Sequence, residues 1–147
     1  MSIGVEPFFD EQTFTVTYVV SDPARKLCAV IDPVLDFDQA SGRTYHESAD
    51  KVVGFIKQND FKLDIIWETH AHADHLSGGP YIRSKLGGKI AIGEHIVDVQ
   101  RIFKEVFNLE KSFNIQGQQF DVLFKDGDTF TIGDLQGRVM HTPGHTP

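Results

Sequence analysis

The apolar run Leu63-Asp64-Ile65-Ile66-Trp67-Glu68 passes without a spacer into Thr69-His70-Ala71-His72-Ala73-Asp74-His75. A short run of this kind reads as a buried strand. The polar cluster therefore falls on a loop at a strand end, where a scaffold can hold side chains rigidly and still leave coordination positions open. Imidazole and carboxylate together are ligands for zinc, iron or manganese. His70 and His72 lie two residues apart, so in an extended segment they project to one side and can chelate one ion. Asp74 and His75 come after a bend and are expected to point elsewhere, towards a second ion; Asp74 also suits the role of catalytic proton acceptor. The small Ala71 and Ala73 let the loop pack tightly, and Gly78-Gly79 let the backbone turn into the helix at Pro80. A metal site explains this pattern better than a polar surface loop does.

A second candidate is His141-Thr142-Pro143-Gly144-His145-Thr146-Pro147, where a Pro-Gly turn can aim His145 at the same cleft. His141 ends an apolar strand and is expected to be packed or to back a ligand rather than to ligate. His46 and His95 sit near predicted helix starts with no partner nearby, and surface roles are expected for both.

The flanking pattern defines the frame. Thr13 to Val20 alternates and is rich in β-branched residues, Leu27 to Ile31 returns as its partner, and Ser21-Asp22-Pro23 turns between them. Thr44 and Glu47 match a capping box. Apolar Ala49, Val52, Val53 and Ile56 recur at helical spacing, predicting a helix from about Tyr45 to Asn59. Pro80 opens a short helix that Gly87-Gly88 ends. Lys89 to Ile92 reads as a strand, and Ile96, Val99, Phe103 and Val106 as the apolar stripe of another helix. Phe120 to Phe124, Thr129 to Ile132 and Leu135 to Met140 read as antiparallel strands, with turns at Asp126-Gly127 and Gly133-Asp134. Hairpins at both ends with helix-strand alternation between them predict an α/β protein: a mixed sheet with helices on one face.

At 147 residues, 40% apolar and with 12 Phe, the chain is sized for one domain with a real core. A net charge of -7 argues against nucleic-acid binding. Cys28 is the only cysteine, so no intrachain disulfide forms. A lone cysteine is simplest in a reducing, cytoplasmic setting, and the apolar run around Cys28 predicts a buried, inert thiol. The N-terminus lacks the basic and apolar regions of a secretory signal, and no run is long enough to cross a bilayer.

The H-x-H-x-D-H loop after a strand, with T-P-G-H-T far downstream, closely resembles the metallo-β-lactamase superfamily, whose domains fold as an αβ/βα sandwich. The segments Ile31 to Asp38, Glu68 to Gly78 and Met140 to Pro147 are similar to its glyoxalase II-like branch. That branch contains persulfide dioxygenases and β-lactamase hydrolase-like proteins. The resemblance implies that His70, His72 and His145 line a first metal position and Asp74 and His75 a second. In persulfide dioxygenases a single iron(II) is held by the counterparts of His70 and His145 and a later Asp; His72, Asp74 and His75 would then stand behind the ligands. Asp32 resembles an acidic residue that orients the histidine loop, with simple turn capping as the alternative.

The implied activity is oxidation of a small thiol persulfide, such as glutathione persulfide, to sulfite. The alternative is hydrolysis of a thioester or lactone with one or two zinc ions. The family's later Asp and final His lie beyond Pro147 in this order, so the resemblance implies one C-terminally truncated domain over residues 1-147. Such a domain would leave an apolar sheet face uncovered, favouring homo-oligomers that bury it. This gives a third reading: an inactive fragment, or a metal-binding module that a partner completes.

Overall fold

The computed structural model describes residues 2-146; Met1 and Pro147, the last residue of the second histidine motif, lie outside the described residues. In chain order the strands and helices are β1 (Gly4–Asp10), β2 (Thr15–Asp22), β3 (Leu27–Ile31), β4 (Val34–Asp38), β5 (Arg43–Tyr45) and α1 (Glu47–Gln58). Next come β6 (Lys62–Trp67), β7 (Leu76–Ser77), α2 (Gly79–Leu86), β8 (Lys89–Gly93) and α3 (Ile96–Val106). The chain closes with β9 (Val122–Phe124), β10 (Thr129–Ile132) and β11 (Leu135–Arg138).

The main sheet is mixed and has the order β1-β2-β3-β6-β8-β9. Strands β1, β2 and β3 pair antiparallel, while β3, β6, β8 and β9 run parallel. The β2-β3 turn is held by the Asp22 carboxylate, which accepts from the backbone N–H of Ala24 and Arg25. Strand β1 has no clean alternation and carries Pro7. It lies at the sheet edge, where a missing ladder donor is tolerated.

Helices α1 and α2 cover one face. Ala49, Val52, Val53 and Ile56 of α1 and Ile82 of α2 pack on Cys28, Val30, Leu63, Ile66 and Ile90. Parallel strands roofed on both faces are apolar throughout, and β6 shows it: Leu63 and Ile66 meet the helices while Ile65 and Trp67 face the other way. The register shift between Cys28 and Ala29 leaves Asp64 as the extra residue that re-phases the strand.

The opposite face is partly covered by the β10-β11 hairpin, whose Phe130, Ile132 and Leu135 pack on Ala29, Ile65 and Trp67. The sheet face expected to be bare is therefore partly roofed. Between this hairpin, α3 and the sheet lies a cavity of about 470 Å³ lined mainly by apolar side chains.

Two expectations are corrected. The capping box does not form: Thr44 pairs with Phe37 across the β4-β5 hairpin, and α1 begins after His46, which makes no side-chain cap. The Ser48 N–H is instead taken by the Asp36 carboxylate of β4 at 2.9 Å. Strand β9 is not part of an antiparallel meander but adds parallel to β8, leaving β10-β11 as a hairpin of its own. Helix α3 forms where its apolar stripe predicts, but only the start of the stripe reaches the core. Ile96 and Gln100 are buried, whereas Phe103 and Val106 are 44% and 68% exposed. Gln100 anchors the helix through the Gly117 N–H and Gln119, and its apolar stripe is left towards the cavity and solvent.

Candidate metal centre

The C-terminal ends of β3, β6 and β8 lie side by side, tied by Asp32 N–H to the Trp67 carbonyl and Glu68 N–H to the Ala91 carbonyl. Parallel strands deliver their succeeding loops to one edge, the usual place for a site in such sheets. Asp32, the Glu68–His75 segment and His95 all emerge there.

The histidines stand in a row. Ring centroids are 5.0 Å apart for His145 and His70, 4.0 Å for His70 and His72, and 4.2 Å for His72 and His75. The structure thus brings together four histidines from two segments far apart in the chain. Asp74 joins them rather than pointing away: its Oδ1 is 3.2 Å from His75 Nδ1 and 3.6 Å from His72 Nδ1. His72, Asp74 and His75 form one group whose donor atoms could hold an ion.

Hydrogen bonding fixes which nitrogens face the centre. Asp32 accepts from Thr69 N–H at 2.7 Å and from Thr69 Oγ1–H at 2.7 Å. The Thr69 hydroxyl has one proton and gives it to Asp32, so at 2.8 Å it accepts from His70 Nδ1–H. The His70 Nε2 lone pair is left free. Asp32 Oδ1 also accepts from His72 Nε2–H at 2.9 Å, which turns His72 Nδ1 inward. Asp32 adopts φ +49°, a left-handed conformation that Asp tolerates better than most residues. It is the hub of the loop, more than a turn cap.

Charge in the site is set by these contacts. Burial opposes ionisation of Asp32, but hydrogen bonds from His72 and Thr69 outweigh it and hold the carboxyl below its usual range. Burial likewise disfavours a charged His72, yet the Asp32 and Glu68 carboxylates overcome this and push it up to about 9. His70 and His75 are lowered by burial and by the neighbouring His72. For Asp74 partial burial is outweighed by its own backbone N–H and by His75 and His72, which keep it ionised.

The donor set fits a metal ion. His70 Nε2, His72 Nδ1 and both nitrogens of His75 are buried with no hydrogen-bond partner among the described residues. Buried polar atoms are seldom left so, because losing water without a replacement is costly. A cation in front of these nitrogens removes that cost. A second group, Asp32, Glu68 and His72, is close enough for an ion, but Asp32 already accepts three hydrogen bonds there.

His141 stands apart from this row. Strand β11 ends at Arg138, so His141 lies in exposed coil, its ring centroid 4.7 Å from that of His95 and its N–H on Asp126. Both line the apolar cavity, which His70 also borders. His46 stacks on Tyr81 at 3.9 Å, away from the site. Sequence reasoning did not single out Thr69 or Glu68, although both stand inside the motif itself. Cys28 is fully buried in the helix-covered core, as expected.

Fold, site and sequence agree on a class. The pattern of the Metallo-beta-lactamase superfamily matches residues 11–147, and the chain belongs to that superfamily. It is 48% identical over 97% of its length to a probable metallo-hydrolase of Burkholderia pseudomallei (strain 1710b), of which it covers 49%. It is 46% identical over 97% of its length to glyoxylase B2 of Dictyostelium discoideum, covering 49% of that protein. The human mitochondrial persulfide dioxygenase ETHE1 is 28% identical over 99% of the chain, which covers 45% of it. Among solved structures, that of ETHE1 from Myxococcus xanthus superposes with a TM-score of 0.69 at 24% identity, over 97% of this chain and 50% of that one. The chain spans about half the length of these relatives. Among the described residues no helix is long and apolar enough to cross a membrane.

Proposed function

We propose that this chain carries the histidine-rich side of an iron centre that oxidises a small thiol persulfide, such as glutathione persulfide, to sulfite. The observation that carries the metal is the set of partnerless buried nitrogens on His70, His72 and His75. Similarity to a persulfide dioxygenase over nearly the whole chain supports the reaction class. When bound, iron(II) would supply the redox chemistry and the open positions that bring a sulfur nucleophile and dioxygen together.

The protein's own residues do the rest. His70, with Nδ1 tied to Thr69, and His145, whose ring abuts that of His70, would hold the ion. Asp32 fixes the loop's shape. His72 lines the same position, with Asp74 beside it as an ionised proton acceptor. The cavity bordered by His70 would receive the substrate.

A second reading has its own support. His72, Asp74 and His75 are already grouped for a further ion, which suits a zinc hydrolase of a thioester or lactone in which metal-bound water is the nucleophile. The similarity to a probable metallo-hydrolase and to glyoxylase B2 favours it as well.

The test is to load the protein anaerobically, quantify iron and zinc, and monitor oxygen uptake with glutathione persulfide beside thioester hydrolysis. Stoichiometric iron with persulfide-dependent oxygen uptake is expected. Two zinc ions per chain with hydrolysis and no uptake would overturn the dioxygenase reading in favour of the second. Bound metal with neither reaction would assign the chain to a module that a partner completes.

A further inference from the structure

Glu68 is a charged residue at a strand end, yet it is among the most buried polar side chains, 6% exposed. A buried carboxylate without partners costs several kcal/mol, so its contacts call for an explanation. On one side Glu68 Oε1 accepts a short hydrogen bond from Ser77 Oγ–H. Ser77 Oγ in turn accepts from Gly79 N–H at 3.0 Å, in the first turn of α2. Gly79 has no side chain to intrude: a Cβ there would come within 3.2 Å of Glu68 Oε1 and 3.1 Å of Ser77 Oγ. On the other side Glu68 Oε2 is buried without a hydrogen-bond partner and lies 3.5 Å from His72 Nε2.

We propose that Glu68 is a positioning residue that, opposite Asp32, seats the His72 imidazole and aims its Nδ1 at the metal. Asp32 hydrogen-bonds His72 Nε2–H from the end of β3, and the Glu68 carboxylate faces the same nitrogen at 3.5 Å from the end of β6. A single carboxylate leaves an imidazole free to rotate about its one hydrogen bond; two on different strands fix its plane. The relay from α2 through Ser77 holds Glu68 with its second oxygen turned to His72. Carboxylate behind a ligand histidine also strengthens the ring as a donor, and loss of such partners lowers metal affinity by roughly 10–100-fold. The inference rests on the reading that His72 lines the metal position.

The test uses Glu68→Gln, which keeps the volume and can still accept from Ser77 but turns an amide N–H towards His72 Nε2–H. Zinc affinity is measured by competition with a chromophoric chelator, and the His72 ring protons are monitored by NMR in the metal-free protein. For Glu68→Gln we expect a loss of zinc affinity of about tenfold or more, with unchanged melting temperature. The His72 Nε2–H resonance is expected to exchange slowly in the wild type, where Asp32 accepts it, and to shift and exchange faster in the variant. Zinc affinity within threefold of wild type, with the resonance unchanged, overturns the proposal. Should Glu68→Gln fail to fold, Ser77→Ala releases the same carboxylate and is held to the same two readouts. His72→Ala separates the levels. If it binds zinc like wild type, the ligand reading fails; if it binds weakly while Glu68→Gln does not, only the role of Glu68 fails.

Discussion

Asp32 Oδ1 lies 2.9 Å from His72 Nε2 while both Asp32 oxygens hold Thr69. One side chain at the end of β3 thus sets the conformation of a loop that belongs to β6. Such outer partners fix ring orientation and tautomer, and they are expected to matter nearly as much as the ligands.

Asp32→Asn tests this. Asn tolerates the positive φ but offers one acceptor oxygen in place of two, so it cannot accept from Thr69 N–H, Thr69 Oγ1–H and His72 Nε2–H together. Zinc affinity should fall by about 10–100-fold, read by competition titration, with circular dichroism unchanged. Affinity equal to wild type would show that Asp32 does not set the geometry of the site.

The raised His72 gives a pH dependence with a definite sign. Pushed up to about 9, this imidazole is protonated at neutral pH, and a metal must displace that proton. Uptake of zinc near neutral pH should release a proton, and affinity should rise with pH up to about 9. Calorimetry in two buffers of different ionisation enthalpy measures the release. In the metal-free protein the sign is opposite. A group whose pKa is raised on folding stabilises fully below its unfolded value and loses that contribution as pH rises through about 9. Melting temperature of the metal-free protein should therefore fall over that window.

Much of this was legible in the sequence. The helices α1 and α2, the strands β3, β6 and β8, and the position of the histidine loop come from apolar periodicity and from Pro and Gly at element ends. The features that were not legible depended on distant partners. The acceptor for the start of α1 is Asp36, on another strand, so the local Thr44 and Glu47 pattern misled. The stripe on α3 has helical spacing whether or not anything covers it. The direction of β9 is set by its pairing with β8, which no local pattern encodes. At the site, residue types identified the ligand candidates, whereas the tautomers needed Thr69 and Asp32 in place.

Cys28 is fully buried, and burial, with the Asp64 charge adding to it, pushes its thiol up to about 12. It should not react with an aromatic disulfide reagent at mildly alkaline pH in native protein and should react at once in denaturant. Fast native labelling would show that the core around β3 opens readily.

The helix-covered core should respond to truncation in the ordinary way. Ile66 is fully buried between α1, α2 and the sheet. Ile66→Ala should cost about 2–5 kcal/mol in chemical denaturation, without altering the candidate metal ligands. A cost under about 1 kcal/mol would mean that the site collapses around the deletion.

A metal ion held by the loop from His70 to His75 and by His145, as proposed, would depend on His70. Elemental analysis of the purified protein and of its His70→Ala variant, after equal exposure to iron or zinc, tests it most directly. Stoichiometric metal is expected in the wild type and loss of it in the variant, with both equally folded. Equal metal content in the two would contradict it.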